Sequence, residues 1–214
     1  MERLICLLIG YVCGLFQTGY LVGKLYKTDI RQHGSGNAGT TNALRTFGKK
    51  AAAATLLGDL LKCVIAMAIA ALLYKNKQEE ILQLLTMYAA AGCILGHNFP
   101  VTMGFRGGKG FAASVGMVAF FDWKLLLIGA IVFFLMFFTT HYVSLGSMTS
   151  YVFAFASMII FGQMGLYSLD QTHLYELYVL MGLLTVLVFV RHRKNIQRLK
   201  TGTESKVFLS SKGK

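Results

Sequence analysis

Six stretches of this chain, 4–23, 51–73, 81–96, 111–140, 146–162 and 177–190, stay apolar at or near the length of a bilayer crossing. A spanning helix needs about 20 predominantly apolar residues, sometimes about 17. Inside hydrocarbon each backbone N–H and C=O must find its partner within the protein, so such runs read as helices. Of the 214 residues, 55% are hydrophobic and 14% charged. Soluble domains carry about 25% charged residues. The sequence therefore predicts an all-α polytopic membrane protein, not one or two soluble domains.

The 111–140 stretch is too long for one ordinary helix, and Asp122-Trp123-Lys124 interrupts it. Basic residues decide how often it crosses, because cytoplasmic flanks are rich in Lys and Arg. Segments 24–50, 97–110 and 191–214 hold six, two and eight of them. One crossing would put the first and last of these segments on opposite sides. Two crossings, turning at 122–124, put all three on one side. The prediction is thus seven transmembrane helices, N-terminus outside and C-terminus cytoplasmic, with 16 of the 21 Lys and Arg inside. The short helices at 111–121 and 125–139 need not each cross fully. Arg3 precedes the first run and Lys24 and Lys27 follow it, with no cleavage pattern, so it reads as a retained span. Without a repeat or a Pro/Ser-rich linker, residues 1–214 read as a single domain. Only the last ten or so residues, ending FLSSKGK, read as a flexible cytoplasmic tail.

The net charge of +12 would suggest nucleic acid in a soluble protein. Here the basic residues flank apolar runs, so topology and anionic lipid explain them, and no nucleic-acid partner is expected. Cys6, Cys13, Cys63 and Cys93 lie within apolar runs and form no CxxC or CxxH pair. Neither a disulfide framework nor a zinc site is expected.

The unusual polar residues collect on four cytoplasmic segments. GSGNAGTTNALR, residues 34–45, supplies Gly34, Gly36 and Gly39 for close backbone approach or positive φ. Ser35, Asn37, Thr40, Thr41 and Asn42 supply polar side chains, and Arg45 a planar fork suited to phosphate. The same residues also suit a loop that caps the second span, with Arg45 snorkelling at the interface. GHNFPVTMGFRGGKG ends in Gly107-Gly108-Lys109-Gly110 at the start of an apolar helix, a natural anion site or else a flexible hairpin with one interfacial lysine. It is not a Walker A loop, because Met103 and Gly110 stand where that motif needs Gly and Ser/Thr. In THYVSLGSM, His141, Ser144 and Ser147 either face the site or cap and pack helices. In RHRKNIQRLKTGTE, His192, Asn195 and Arg198 recur every three residues and share a face if the helix continues. Glu204 reads as peripheral. Asp59 and Lys62, inside the second span, read as a neutralising pair that fixes packing. His33, His97 and His173 read as polar loop residues.

These three long motifs resemble those of the bacterial acyl-phosphate-dependent glycerol-3-phosphate acyltransferases, the PlsY family. GSGNxGxTNxxR falls on Gly34 to Arg45, GHxFPV…FxGGKG on Gly96 to Gly110, and RHxxNIxRLxxGxE on Arg191 to Glu204. The resemblance implies seven spans in the bacterial cytoplasmic membrane and an active site on its cytoplasmic side. It implies transfer of a fatty acyl group from acyl phosphate to the 1-hydroxyl of glycerol 3-phosphate, giving lysophosphatidic acid and phosphate. Carried over by position, Ser35, Arg45, Lys109, His192 and Asn195 would be catalytic. Gly36, Asn37, Thr41, Asn42, Gly107, Gly108, Gly110, Ser147 and Arg198 would bind substrate phosphate. No cofactor or metal is expected. The expected partners are the two substrates and the bilayer, with the protein a monomer. Two departures stand out. Leu15-Phe16-Gln17 replaces a Ser-x-Pro near the end of the first span, and Cys63 replaces a glycine after Asp-x-x-Lys.

Acyl phosphate is a mixed anhydride with an activated carbonyl, so the chemistry needs phosphate clamps and polarisation of an oxyanion more than a strong base. There is no H-x-x-x-x-D pair and no G-x-S-x-G elbow. Direct transfer is expected, with a substrate phosphate oxygen or His192 taking the hydroxyl proton. A transporter of organic phosphate would also combine broken apolar segments with basic residues. Its site would lie near the midplane, whereas these motifs cluster on one side.

Overall fold

The computed structural model describes residues 1–208, and the expected tail beyond Phe208 lies outside them. The helices are α1 (Glu2–Gly14), α2 (Thr18–Leu25), α3 (Thr40–Phe47), α4 (Lys49–Tyr74), α5 (Leu82–Asn98), α6 (Phe111–Phe121), α7 (Trp123–Thr140), α8 (Val143–Gln163), α9 (Gln171–Arg191) and α10 (Arg193–Lys200). Among the described residues, six segments are long and apolar enough to cross a membrane: Glu2–Leu25, Lys49–Tyr74, Glu79–Met103, Trp123–Thr140, Val143–Gln163 and Gln171–Arg191. The remaining expected span is the 11-residue α6. Its length is about 16 Å, against roughly 30 Å of hydrocarbon core. The 111–140 stretch does divide at Asp122, whose carboxylate caps α7 by accepting the Lys124 N–H at 2.9 Å. The following helix begins at Trp123, two residues earlier than the sequence suggests.

The ends of the helices sort into two groups. At one end lie α3, the C-termini of α5, α7 and α9, and the N-termini of α4, α6 and α8. At the other, Arg3 of α1 donates to Glu176 of α9 at 2.8 Å, and Tyr88 of α5 donates to the same carboxylate at 2.7 Å. The α6–α7 turn belongs to this second end. Phe121 packs edge-on against Tyr167, in the connection between α8 and α9, at 5.1 Å between ring centroids.

Helix α5 is the central staff. Within its span 78% of residues are buried, whereas α7 buries only 11%. Helix α1 lies directly along α5 because glycines face each other across the seam. A Cβ added at Gly10 or Gly14 would strike the backbone at Ala89 or Cys93, and one at Gly92 or Gly96 the backbone at Leu7 or Tyr11. Small residues at such a seam let helix backbones touch, which is how packing is gained where lipid removes the hydrophobic drive.

The first span is broken although it lacks the proline. Helix α1 ends at Gly14 and α2 begins at Thr18. The freed carbonyls find other donors, as a break at membrane depth requires. Gln17 gives its amide to Gly14 O at 3.0 Å and His97 O at 3.2 Å, and Lys62 Nζ donates to Phe16 O at 2.7 Å. The glutamine that departs from the family pattern thus closes the break itself. Cys63 is fully buried on α4 and faces Gly116 of α6, which leaves room for its side chain.

One expectation is corrected: His97 is not a loop residue, because α5 continues through Asn98 and buries it. Beyond α10 the described chain stays in contact with the helices. Val207 is buried and donates its N–H to His141 O at 2.9 Å, and Phe208 lies over the His141 ring at 4.7 Å.

Candidate active site

The motif segments meet at one end of the helices around a cavity of about 500 Å³. Its mouth is polar, with Ser35, Arg45, Lys109, His192, Asn195 and Arg198 on its wall. From there it continues into an apolar trough between α6, α7 and α8, lined by Phe111, Val118, Leu126, Phe133, Phe137 and Ala154 among others. One hydroxyl pair runs into this trough. Ser114 donates to Gly110 O at 3.0 Å, so Tyr151 O–H, 3.0 Å from Ser114 Oγ, donates to the serine.

Lys109 stands at the opening of α6. Gly110 takes φ +83°, a left-handed conformation that favours glycine, and turns the chain into the helix. The ammonium therefore adds to the free N–H groups and the positive end of the helix dipole. Its Nζ donates to Asn195 Oδ1 at 2.5 Å. Burial pushes its pKa down to about 8, with Arg198, Arg45 and Arg191 adding to that and Glu204 opposing it.

His192 sits between α9 and α10, so the two helices are not one continuous helix, yet His192, Asn195 and Arg198 still face the cavity together. His192 Nδ1 is 2.8 Å from Val188 O, which assigns the proton to Nδ1 and leaves Nε2 as the free lone pair. Burial, reinforced by the Lys109 charge, lowers its pKa to about 4. The ring is neutral at physiological pH.

Glu204 is the residue that the sequence reading put at the edge and the fold brings in. Gly202, at φ +68°, reverses the chain after α10, and Thr203 N–H closes on Arg198 O at 2.8 Å. The carboxylate returns to accept hydrogen bonds from Ser144 Oγ at 2.8 Å, Asn195 Nδ2 at 2.6 Å and Arg198 Nε at 2.7 Å. Burial raises its pKa, but these three bonds together outweigh it and hold the group below its usual range. A glycine two residues past a helix end, followed by an acid, is the signal that could have shown this return.

The other expected residues take varied places. Asn37, Thr41, Gly110 and Ser147 line the cavity, though Ser147 spends its hydroxyl proton on Val143 O at 2.8 Å. Asn42 touches the cavity but holds its own loop together. It donates to Ile30 O at 3.1 Å and His33 O at 2.9 Å, and accepts the Ser35 N–H at 2.9 Å. Arg45 is exposed at the mouth and donates to Ser205 O at 3.1 Å. Gly36 lies in the exposed turn before α3. Gly107 and Gly108 lie behind Lys109, where Arg191 donates to their carbonyls at 3.0 and 2.7 Å and stacks over Phe99 at 5.0 Å. Arg191 opens the third motif, but no site role was expected of it. The Asp59–Lys62 pair is present at 2.9 Å, and it is joined by His97.

A polar mouth with an unbroken apolar trough can hold a phosphorylated head and a hydrocarbon chain at once, with the donors gathered where the two meet. Comparison with known proteins agrees. Residues 4–202 match the family model described as glycerol-3-phosphate acyltransferase. The chain is 40% identical to the glycerol-3-phosphate acyltransferase of Alkaliphilus metalliredigens over 97% of each protein. It is 38% identical to that of Bacillus subtilis, over 94% of this chain and 95% of the relative. Among solved structures it is similar to crystal structures of PlsY, an integral membrane glycerol 3-phosphate acyltransferase. The glycerol 3-phosphate form has a TM-score of 0.83 and 30% identity, and the lysophosphatidic acid form 0.80 and 29%, each over 97% of this chain and 96% of the other. The likeness runs nearly end to end in sequence and in fold: this chain belongs to the glycerol-3-phosphate acyltransferase family.

Proposed function

We propose that this enzyme transfers a fatty acyl group from acyl phosphate directly to the 1-hydroxyl of glycerol 3-phosphate, releasing lysophosphatidic acid and inorganic phosphate. The observation that carries the reading is the continuity of the polar mouth with the apolar trough. The trough takes the acyl chain, which sets the carbonyl carbon beside Lys109, His192 and Asn195. Lys109 and Arg45 hold phosphate, and the α6 N-terminus adds its dipole. The hydroxyl oxygen attacks the carbonyl carbon, the bond from that carbon to the bridging phosphate oxygen breaks, and phosphate leaves. The hydroxyl proton ends on the departing phosphate. A base with a pKa near 4 takes a proton poorly, so a substrate phosphate oxygen is favoured over His192 as the first acceptor.

The test is donor use. Purified protein with palmitoyl phosphate and glycerol 3-phosphate should release phosphate, and palmitoyl-CoA or acyl carrier protein should not replace the donor. Radiolabelled palmitoyl phosphate alone should leave no label on the denatured protein. Label trapped on Ser35 or Ser147 and lost in the alanine variant would overturn direct transfer.

The low pKa of Lys109 gives a pH signature. The ammonium form predominates below about 8 and is lost above it. Bound phosphate stabilises the ammonium and raises that value in the complex. The apparent KM for glycerol 3-phosphate should therefore rise several-fold between about pH 7 and about pH 9, while kcat changes less. A flat KM across that range would remove Lys109 from the phosphate site.

We read the whole chain as one monomeric acyltransferase unit of the bacterial cytoplasmic membrane, with seven crossings, the N-terminus outside and the site facing the cytoplasm. The concentration of Lys and Arg at the motif end supports this orientation. The Phe121–Tyr167 contact supports a crossing by the short α6, because it sets the α6–α7 turn beside the far-side connection. Cysteines introduced at positions 36 and 202 should be labelled by a membrane-impermeant thiol reagent only from the cytoplasm, and one at 77 only from outside. Labelling of 202 from outside would overturn the orientation.

A further inference from the structure

Against the cavity, whose lining includes Asp59 and His97, lies a buried polar chain that the proposed chemistry does not use. Lys62 Nζ pairs with Asp59 Oδ1 at 2.9 Å, donates to Phe16 O at 2.7 Å and, more weakly, to Gly14 O at 3.5 Å, and lies 2.7 Å from His97 Nδ1. Thr18 Oγ1 adds a bond to Asp59 Oδ1 at 3.1 Å. These side chains stand on three separate elements: α2, α4 and α5. Such groups are costly at this depth and call for a reason beyond connection.

The glycine turn rests on the far end of this chain. Gly108 donates its N–H to His97 O at 3.1 Å. The His97 ring lies directly against Gly108, so that a Cβ there would overlap Nε2, Cε1 and Cδ2, and nothing nearer than that ring opposes it. Gly108 has no positive φ, so its lack of a side chain answers to space and not to backbone shape. On the other side Arg191 holds the Gly107 and Gly108 carbonyls. The turn is thus clamped between His97 below and Arg191 above, and the next residue is Lys109.

We propose that His97, steadied by Lys62 and Asp59, is a positioning residue: its ring sets the height of the Gly107-Gly108 turn and so the point at which the Lys109 ammonium enters the cavity. Lys62 also holds Phe16 O, so the break in the first span and the phosphate turn share one buried anchor. The inference rests on the reading of Lys109 as a phosphate partner. Because Lys109 holds substrate phosphate, a misplaced turn acts first on binding of glycerol 3-phosphate.

The test is a size exchange between positions 97 and 108, in full-length protein shown to be monodisperse in detergent. Gly108→Ala should lower kcat/KM with palmitoyl phosphate and glycerol 3-phosphate by about 100-fold, the scale on which a displacement of about 1 Å acts. His97→Ala should raise the KM for glycerol 3-phosphate by about 10-fold, with a smaller change in kcat. The double variant His97→Ala/Gly108→Ala should recover at least about 10-fold of the loss seen in Gly108→Ala, because the methyl group then occupies the space left by the ring. Lys62→Met, which keeps the bulk and frees the ring, should show the same KM-weighted defect as His97→Ala. A double variant as impaired as Gly108→Ala would overturn the inference, as would a His97→Ala or Lys62→Met protein with wild-type KM. If Gly108→Ala does not fold, the KM values of the other two variants decide alone. Absence of turnover by the unaltered protein would instead overturn the proposed function, and this inference with it.

Discussion

Lys109→Ala should lower kcat/KM by about two to three orders of magnitude and leave the inserted, folded protein otherwise unchanged. The side chain joins two effects at one point. Its charge adds to the open N-terminus of α6, and it reaches Asn195 across the mouth of the cavity. Loss of one such donor in a site shielded from water costs about 3–4 kcal/mol of transition-state stabilisation. Little folding energy is at stake, because the turn that carries Lys109 is held by backbone contacts to His97 and Arg191 that the substitution does not touch. Steady-state kinetics beside a thermal unfolding curve in detergent measures both quantities. Wild-type turnover in a stable variant would remove the glycine turn from the site.

Glu204→Ala should behave differently, with activity and stability falling together. The carboxylate is the common acceptor for Ser144, Asn195 and Arg198, which belong to α8 and α10. Its removal leaves three donors facing a small void and releases Asn195, the partner of Lys109. Leaving buried donors unsatisfied costs about 1–3 kcal/mol, and the partial exposure of Arg198 puts the value in the lower half of that range. Activity should fall by about 100-fold, since the Asn195–Lys109 contact loses its anchor. The pH dependence has a definite sign. The folded-state pKa of Glu204 is lowered, so the stability it contributes is full above the ordinary carboxylate range and is lost as pH falls through the lowered value. Wild type and Glu204→Gln should therefore differ clearly at about pH 7 and converge in acid, as read by denaturant or thermal unfolding. A constant gap across that range would show that the carboxylate charge is not what matters.

Much of the fold is legible in the chain because bilayer crossing imposes a length on apolar runs. Even the division at Asp122 could be seen, since an acid beside a lysine seldom lies inside a span. The short α6 shows the limit. Composition marked it as a separate helix, but not that its C-terminal end packs against Tyr167. The site was legible where side chains keep helical spacing within a motif, as with Asn195 and Arg198 on α10 and His192 at its N-terminus. It was obscured where the path of the backbone decides. Glu204 looks remote until Gly202 turns the chain back, and His97 looks like a loop residue until α5 runs on through Asn98. Asn42 shows the converse. Its amide suits a ligand, yet the fold spends it on the carbonyls of Ile30 and His33. The break in the first span was hidden because a glutamine, not a proline, maintains it.

Helix α7 packs little of its surface against the protein, yet it forms one whole wall of the apolar trough. A wall with lipid on one side and the trough on the other divides the supply of the two reactants by phase. Glycerol 3-phosphate is soluble in water, whereas a long-chain donor dissolves in the bilayer, one helix away from the trough. The rate should then follow the mole fraction of donor in the membrane and not its bulk concentration. Added inert lipid should slow the reaction by surface dilution even when the total donor and enzyme are held constant.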